Sequence, residues 1–356
     1  MTSEVTVRAR SGAYKVYCGS NAVQMLPDLI RSMGLAGKIF LITNKRIDAI
    51  HGEKVWEILK ITGRKVAKVS IEDGERYKNS GTVTKIADAL LRYRCRRNDL
   101  LVVFGGGVTG DIGGFAAGIL LRGLPYVHLA STLMAQVDSS IGGKVGVNHR
   151  LGKNLIGLFY QPRFVICDTN FLCTLDLRDW RNGMAEIIKY AFIRKPEMFD
   201  KIFGLQDFPG FSVDVIDGIV HDCIEIKARI VEEDEFEQGI RAILNYGHTF
   251  GHAIETYFEH KKISHGEAVS MGMVAAAKLS RNLGYISNDE VKLHIDVLSR
   301  FGLPVKMPRI DIEDLLNIMD SDKKHLQENR FVILKKVGKP VIVEEVDQQE
   351  IISALR

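Results

Sequence analysis

The stretch richest in chemistry is Arg241-Ala-Ile-Leu-Asn245-Tyr-Gly-His248-Thr-Phe-Gly-His252-Ala-Ile-Glu255. Read as one helix, it sets Arg241, Asn245, His248 and His252 at intervals of 4, 3 and 4, on a single face. An amphipathic helix gives that inner face to apolar residues. A polar stripe beside two glycines needs a ligand or a metal to satisfy it. His265-Gly-Glu267 opens the next helical pattern with another imidazole. Imidazoles with one carboxylate and an open position suit zinc. No Glu follows His248 directly, so this is not the HExxH arrangement and the carboxylate must come from elsewhere. Glu186, in the otherwise apolar Gly183-Met-Ala-Glu-Ile-Ile-Lys189-Tyr190, is a suitable donor. On spacing alone both His248 and His252 are ligands. The blander alternative is that each is a hydrogen-bonded core histidine.

Several cations stand in apolar or glycine-rich text: Arg122, Lys144, Lys153 (beside Asn154), Lys189, Lys227 and Arg241. A buried charge is expensive unless an anion pairs with it. Arg suits a carboxylate as a fork, and Lys suits phosphate as a point charge. The set predicts a small anionic substrate carrying phosphate, carboxylate or both. Lys60, Lys261 and Lys262 fit the ordinary solvated surface better.

Phe104-Gly-Gly-Gly-Val-Thr-Gly110-Asp111 follows an apolar run and opens a helix. Gly105, Gly107 and Gly110 satisfy GxGxxG, which lets a diphosphate approach the backbone at a positive helix end. Tight strand–helix packing is the competing explanation. Two αβ segments precede the loop, and no acid lies between Asp111 and Asp138. The loop therefore departs from the standard Rossmann order. In Asp73-Gly-Glu75-Arg-Tyr-Lys78, Glu75 could hold a ribose diol and Lys78 a phosphate, but spacing alone favours a solvated turn.

These residues must be positioned by two kinds of element. Residues 4–8 and 13–18 read as a hairpin around Ser11-Gly12. Runs at 38–43, 65–71, 100–104 and 126–129 read as strands, with helices at 48–61, 82–93 and up to 121 between them. Apolar strands alternating with helices predict a parallel sheet covered on both faces. From about 175 the pattern turns helical, over 178–203, 214–233, 241–259, 266–283 and 289–301, with strand text only at 330–335 and 340–344. The expected fold is α/β: a Rossmann-like, parallel-sheet nucleotide domain (1–177) followed by a mostly α-helical metal-binding domain (178–356).

Composition narrows the class. The 356 residues carry 48 Lys and Arg against 44 Asp and Glu, so the net charge is 48 − 44 = +4, a poor basis for binding nucleic acid. No window offers ~18 consecutive apolar residues, so no membrane span is expected. Five scattered Cys without a CxxC pair, and no signal-like N-terminus, point to a reducing cytoplasm.

The motifs Gly105–Asp111, Leu133-Met-Ala-Gln-Val-Asp138-Ser-Ser-Ile-Gly-Gly-Lys144, Gly152-Lys-Asn154, Gly183–Lys189, Leu244–His252, His265-Gly-Glu267 and Asp322-Lys-Lys324 together resemble the 3-dehydroquinate synthase family over nearly the whole chain. The resemblance implies NAD and zinc (cobalt being possible) as cofactors. The implied reaction takes 3-deoxy-D-arabino-heptulosonate 7-phosphate to 3-dehydroquinate and phosphate by transient oxidation, elimination, reduction and aldol closure. It implies Glu186, His248 and His265 as metal ligands, with His252 moving protons instead of ligating. Asp138, Lys144, Asn154, Lys189, Lys227, Arg241, Asn245 and Lys323 or Lys324 would line the substrate, and Arg122 and Lys153 would meet its phosphate. NAD would lie on Glu75, Lys78, Gly106, Gly107, Val108, Asp111, Ser131, Thr132, Phe171 and Thr174, with Lys144 and Lys153 at its edge. A homodimer is the family's usual state. Two departures stand out: Ala130-Ser131 where the family commonly has Pro-Thr, and Asn44 where it often has an Asp for the adenosine ribose. Rival readings are a cyclase acting on a different sugar phosphate or an amino analogue, and a metal-dependent alcohol dehydrogenase.

Overall fold

A computed structural model describes residues 2–205, 212–259, 262–326 and 330–356, without the side chains of 213 and 321–326. In chain order the first stretch holds β1 (Ser3–Ala9), β2 (Gly12–Cys18), α1 (Leu26–Ser32), β3 (Ile39–Asn44), α2 (Lys45–Ile47), α3 (Glu53–Lys60), β4 (Val66–Ile71), α4 (Ser80–Arg92), β5 (Leu100–Gly105), α5 (Gly107–Ile119), β6 (Tyr126–Ala130), β7 (Lys144–His149), β8 (Gly152–Phe159) and β9 (Phe164–Cys167). Then come α6 (Leu177–Ile193), α7 (Met198–Phe203), α8 (Val213–Glu233), α9 (His248–Tyr257), α10 (His265–Asn282), α11 (Asn288–Arg300), α12 (Ile312–Leu326), β10 (Arg330–Lys336), β11 (Lys339–Glu344) and α13 (Gln348–Leu355). The chain divides into two compact units, residues 1–175 with 212–236, and residues 176–211 with 237–356.

The first unit is built on a seven-stranded sheet of order β1-β2-β9-β6-β5-β3-β4. β1 and β2 form the expected antiparallel hairpin, with Val5 opposite Val16. β2 then joins the parallel set through β9. Along β3, Ile39 and Leu41 face a core shared with Leu26, Ile30, Val55 and Leu59, while Phe40 and Ile42 face one shared with Val83, Ile86, Ile112 and Phe115. That two-sided burial explains the unbroken apolar text of β3 and β5. The order reverses between β3 and β5, which both run parallel. The crevice beyond the strand ends at such a reversal is the usual ligand position of an open α/β sheet. Asn44 ends β3 there, and the glycine loop follows β5.

Several elements here escaped the sequence pattern, among them the short helix α1. The hairpin β7–β8 is largely exposed along β8, so no inward–outward alternation marks it. β9 has only four residues, all buried. α8 packs with β1 and β2 in this unit.

In the second unit the expected helix over 178–203 is two helices. α6 ends at Ile193 and α7 begins at Met198, with Pro196 between them unable to continue the hydrogen-bond ladder. The expected helix over 241–259 is also broken. Ile240–Asn245 is a 3-10 turn, and Gly247 at φ 80° interrupts the chain before α9. α10 and α11 each start on a capping box, Ser264 with Glu267 and Ser287 with Glu290. α12 and α13 were not read from the sequence. Among the described residues, no helix is long and apolar enough to cross a membrane.

Candidate functional site

The second unit brings Glu186, His248 and His265 together, with one ligand atom from each lying within 4.8 Å of the others. Glu186 comes from the middle of α6, His248 starts α9 and His265 starts α10. The two histidine-bearing helices are held very close. A Cβ on Gly272 of α10 would lie 2.0 Å from the Gly247 carbonyl, so only glycine fits there. Gly247 itself needs a left-handed backbone to turn His248 into α9. At the other side, the Gly266 N–H of α10 donates to Asn182 Oδ1 of α6 at 2.9 Å.

The imidazole tautomers suit a cation. His248 Nδ1–H donates to the Tyr246 carbonyl (3.2 Å), and His265 Nδ1 faces Glu255 Oε2 (3.4 Å). Both Nε2 atoms turn to Glu186 Oε1, at 3.4 and 3.3 Å. Those separations are long for charged hydrogen bonds. They match the roughly 3.3 Å between ligand atoms of a tetrahedral ion with bonds of ~2.0–2.1 Å. The residues therefore fit a divalent metal, with an outer acceptor behind each imidazole.

Burial pushes the Glu186 carboxyl up, but Lys189, His248 and His265 outweigh it and hold the group well below the carboxylate range. Burial likewise pulls His265 down, and Glu186 and Glu255 reverse this, raising it to about 9. Lys189 is 1% exposed and ion-paired with Glu186. His252 is not in the Glu186 set, although it keeps its place one turn beyond His248 on α9, with ring centroids 5.4 Å apart; the break at Gly247 separates both histidines from Arg241 and Asn245. It groups instead with Glu255 and His265 as a second cluster of ligand-type atoms. Arg241 is 1% exposed, and Asn245 Nδ2 donates to Glu237 Oε1 at 3.3 Å. Lys323 and Lys324 have side chains outside the described residues.

Of the six cations expected to be buried, Lys189, Lys227 and Arg241 are, whereas Arg122 and Lys144 are exposed and Lys153 is half-buried. Neighbouring glycines let the chain bend outward at Arg122, where Leu121, Arg122 and Gly123 all have positive φ. Apolar text around a cation thus did not translate into burial at those two positions. In the first unit, Lys227 of α8 donates to both the carbonyl and Oδ1 of Asp138, each at 2.7 Å.

The glycine loop is shaped by packing as well as by openness. A Cβ on Gly110 would lie 2.4 Å from the His128 ring, and one on Gly106 would lie 2.8 Å from the Thr132 side chain. Gly106, Gly107 and Val108 are half-buried at the start of α5. Ser131 Oγ is buried and has no hydrogen-bond partner among the described residues, as an atom reserved for a ligand would be. Lys78 corrects the expectation of a solvated turn. It is 6% exposed, paired with Asp111, and donates to Asn154 Oδ1 at 2.5 Å. Burial, only partly countered by Lys78, pushes Asp111 up. Asn154, expected beside the substrate, thus stands with Lys78 and Asp111, two residues expected to hold the cofactor. Asn44 is spent structurally: its Oδ1 accepts the Ile47 N–H at 2.9 Å and its Nδ2 donates to Thr109 Oγ1 at 3.0 Å.

Three residues near these sets were missed. Asn148 donates to Glu75 Oε1 (2.7 Å) and accepts from the Asn154 N–H (2.9 Å). His51 Nε2 lies 2.7 Å from Thr174 Oγ1, and its ring lies 4.9 Å from that of Phe171. Glu255 backs His265. Of these, only Glu255 carried a signal, being a carboxylate one turn beyond His252 on the same helix.

Comparison with known proteins agrees over the full length. Residues 68–182 match the family model for the 3-dehydroquinate synthase N-terminal region, and 183–325 match that for its C-terminal region. A curated 3-dehydroquinate synthase of Pelobacter propionicus is 41% identical over 352 residues, covering 98% of this chain and 97% of its own. A solved 2-deoxy-scyllo-inosose synthase complexed with carbaglucose-6-phosphate, NAD+ and Co2+ superposes with a TM-score of 0.87 at 27% identity, covering 99% of this chain and 98% of its own. ValA, a 2-epi-5-epi-valiolone synthase of Streptomyces hygroscopicus with NAD+ and Zn2+ bound, gives 0.86 at 26% identity, covering 96% and 95%.

Proposed function

The chain belongs to the 3-dehydroquinate synthase family, and on that premise we propose which of its groups hold cofactor, metal and substrate. It is an NAD- and metal-dependent lyase that converts 3-deoxy-D-arabino-heptulosonate 7-phosphate to 3-dehydroquinate and phosphate. The observation that carries the site assignment is the convergence of Glu186, His248 and His265 at the spacing of a tetrahedral ion.

When bound, zinc or cobalt supplies Lewis acidity toward a substrate hydroxyl and NAD+ supplies a reversible hydride acceptor. The chain's own groups do the rest. Glu186, His248 and His265 hold the metal. Exposed on α9 within reach of that cluster, His252 exchanges protons with substrate oxygen. The buried guanidinium of Arg241, with Asn245, takes the substrate carboxylate. Lys189 and Lys227, already paired with Glu186 and Asp138, bind hydroxyls without bringing an uncompensated charge. Lys144 and Asn154 complete the substrate lining, and Arg122 and Lys153 take the phosphate. The cofactor lies along Gly106, Gly107, Val108, Asp111, Ser131, Thr132, Phe171 and Thr174, with Glu75 and Lys78 on its ribose and Lys144 and Lys153 at its edge. Such positioning and fixed charge supply much of the acceleration in a site rich in cations.

A homodimer is the proposed assembly, supported by Leu151, Leu155, Ile156 and Phe159, all exposed on and around β8. A cytoplasmic setting fits the five cysteines, all free. The test is phosphate release from the heptulosonate phosphate with NAD+ and zinc, run beside glucose 6-phosphate and an amino-sugar analogue. Release from the first substrate alone, abolished by a chelator, is expected. Release from glucose 6-phosphate in its place would overturn the substrate assignment, and sedimentation of the same sample reads the dimer.

A further inference from the structure

The outer contact behind His248 is a backbone carbonyl, and the structure shows what anchors it. Tyr246 is fully buried, and its hydroxyl donates to His294 Nε2 at 2.9 Å. The His294 ring, also fully buried, donates through Nδ1–H to the Glu290 carbonyl at 2.7 Å. A carbonyl can only accept, so Nδ1 carries the proton and Nε2 is free to take the Tyr246 hydroxyl. The same ring lies flat on Phe192, with centroids 3.5 Å apart and planes 6° apart. Phe192 stands on α6, the helix that carries Glu186. The contacts thus close a loop: Glu186 and Phe192 on α6, His294 on α11, Tyr246 before Gly247, and His248 facing Glu186 again.

The geometry points to Tyr246 and His294 as positioning residues for the metal: the buried Tyr246–His294 pair fixes the carbonyl that orients His248. Both rings are fully buried, and neither is among the residues proposed to meet substrate or cofactor. Its effect passes through one hydrogen bond, from His248 Nδ1–H to the Tyr246 carbonyl, which keeps Nε2 bare toward the ion. Outer contacts of this kind are typically worth 10–100-fold in metal affinity. Burial drives His294 down to about 4, which keeps its ring neutral in the stacked position.

This proposal rests on Glu186, His248 and His265 being the ligands, and the experiment separates the two. Full-length protein is stripped of metal and titrated with Co2+, reading the visible d–d spectrum and competition with a chelator. His248→Ala is expected to lose tight binding; wild-type binding by His248→Ala overturns the ligand set. Tyr246→Phe is expected to bind Co2+ about 10-fold more weakly with an altered spectrum, while the KM for NAD+ stays unchanged. His294→Gln, whose amide oxygen can accept the same hydroxyl, is expected to retain most of the wild-type affinity. Should Tyr246→Phe fail to fold, the apolar pair Tyr246→Phe/His294→Phe keeps the stacked rings without the buried polar atoms and carries the same readout. A folded variant lacking the hydroxyl but with wild-type spectrum and affinity overturns the positioning role while leaving the ligand set standing.

Discussion

The two units prepare their sites by opposite means. In the first, the nucleotide loop is shaped by apolar strands and by glycines pressed against His128 and Thr132, and a hydroxyl such as Ser131 Oγ is left unpartnered among the described residues. In the second, the metal cluster is assembled from buried charges, Glu186 against Lys189 and His265, with each imidazole backed by an acceptor. One site is preorganised by backbone packing, the other by mutual compensation of charge. A packed site tolerates loss of a polar contact, whereas a compensated one does not, because removing one partner strands another in low dielectric.

The largest expected effect breaks that compensation. Glu186→Ala removes the carboxylate that pairs with the 1%-exposed Lys189 and faces both imidazoles, and should destabilise the metal-free protein by about 3–5 kcal/mol. The shift of the urea midpoint in the presence of a chelator reads this. A change within error would mean that Lys189 finds another counter-charge and that the cluster is not self-compensating.

The next effect makes the units alike. His128 in one and His294 in the other are both lowered by burial to about 4, against an unfolded value near 6.5. The unfolded chain takes up those protons and the folded chain does not. Each contribution is therefore complete above about pH 6.5 and is lost as pH falls toward 4. The loss is on the order of 3 kcal/mol per histidine across that window. Urea unfolding between pH 7.5 and 4.5 should show the slope, and His128→Gln should remove up to one proton from it. An unchanged slope in that variant would place a charged His128 in the folded state.

The smallest effect tests the packed site. Asn44→Ala removes an N-cap and the tie to Thr109, with an expected cost of about 1 kcal/mol and little change in metal affinity. A loss of metal binding in this variant would sink the separation between the two sites.

How much of this was legible depends on what local text can carry. Glu186 stood out as a carboxylate in an apolar helix and His265 as an imidazole at a helix start. The misleading feature was the 4-3-4 spacing from Arg241 to His252, since periodicity assumes a continuous helix and Gly247 interrupts it. Lys78 read as solvent-facing because its partners, Asp111 and Asn154, are remote in sequence. Arg122 and Lys144 show the reverse: apolar neighbours pack inward while the cation itself faces water. The parallel sheet was readable because β3 and β5 are buried on both faces. The β7–β8 hairpin was not, because exposed strands lack the alternation that marks a half-buried one. Tyr246 and His294 lie 48 residues apart in the chain and meet only when α11 packs, so no spacing could announce them.

The contact between Gly247 and Gly272 has a consequence for how a metal leaves. It locks the starts of α9 and α10 together, so the two imidazoles behave as the jaws of one rigid chelator. An ion that slipped from His248 would still be held by Glu186 and His265 at high effective concentration and would be recaptured readily. Exchange would then call for both jaws, and Glu186, to let go. Metal loss should accordingly track the rate at which these two helices part, instead of the strength of either bond alone.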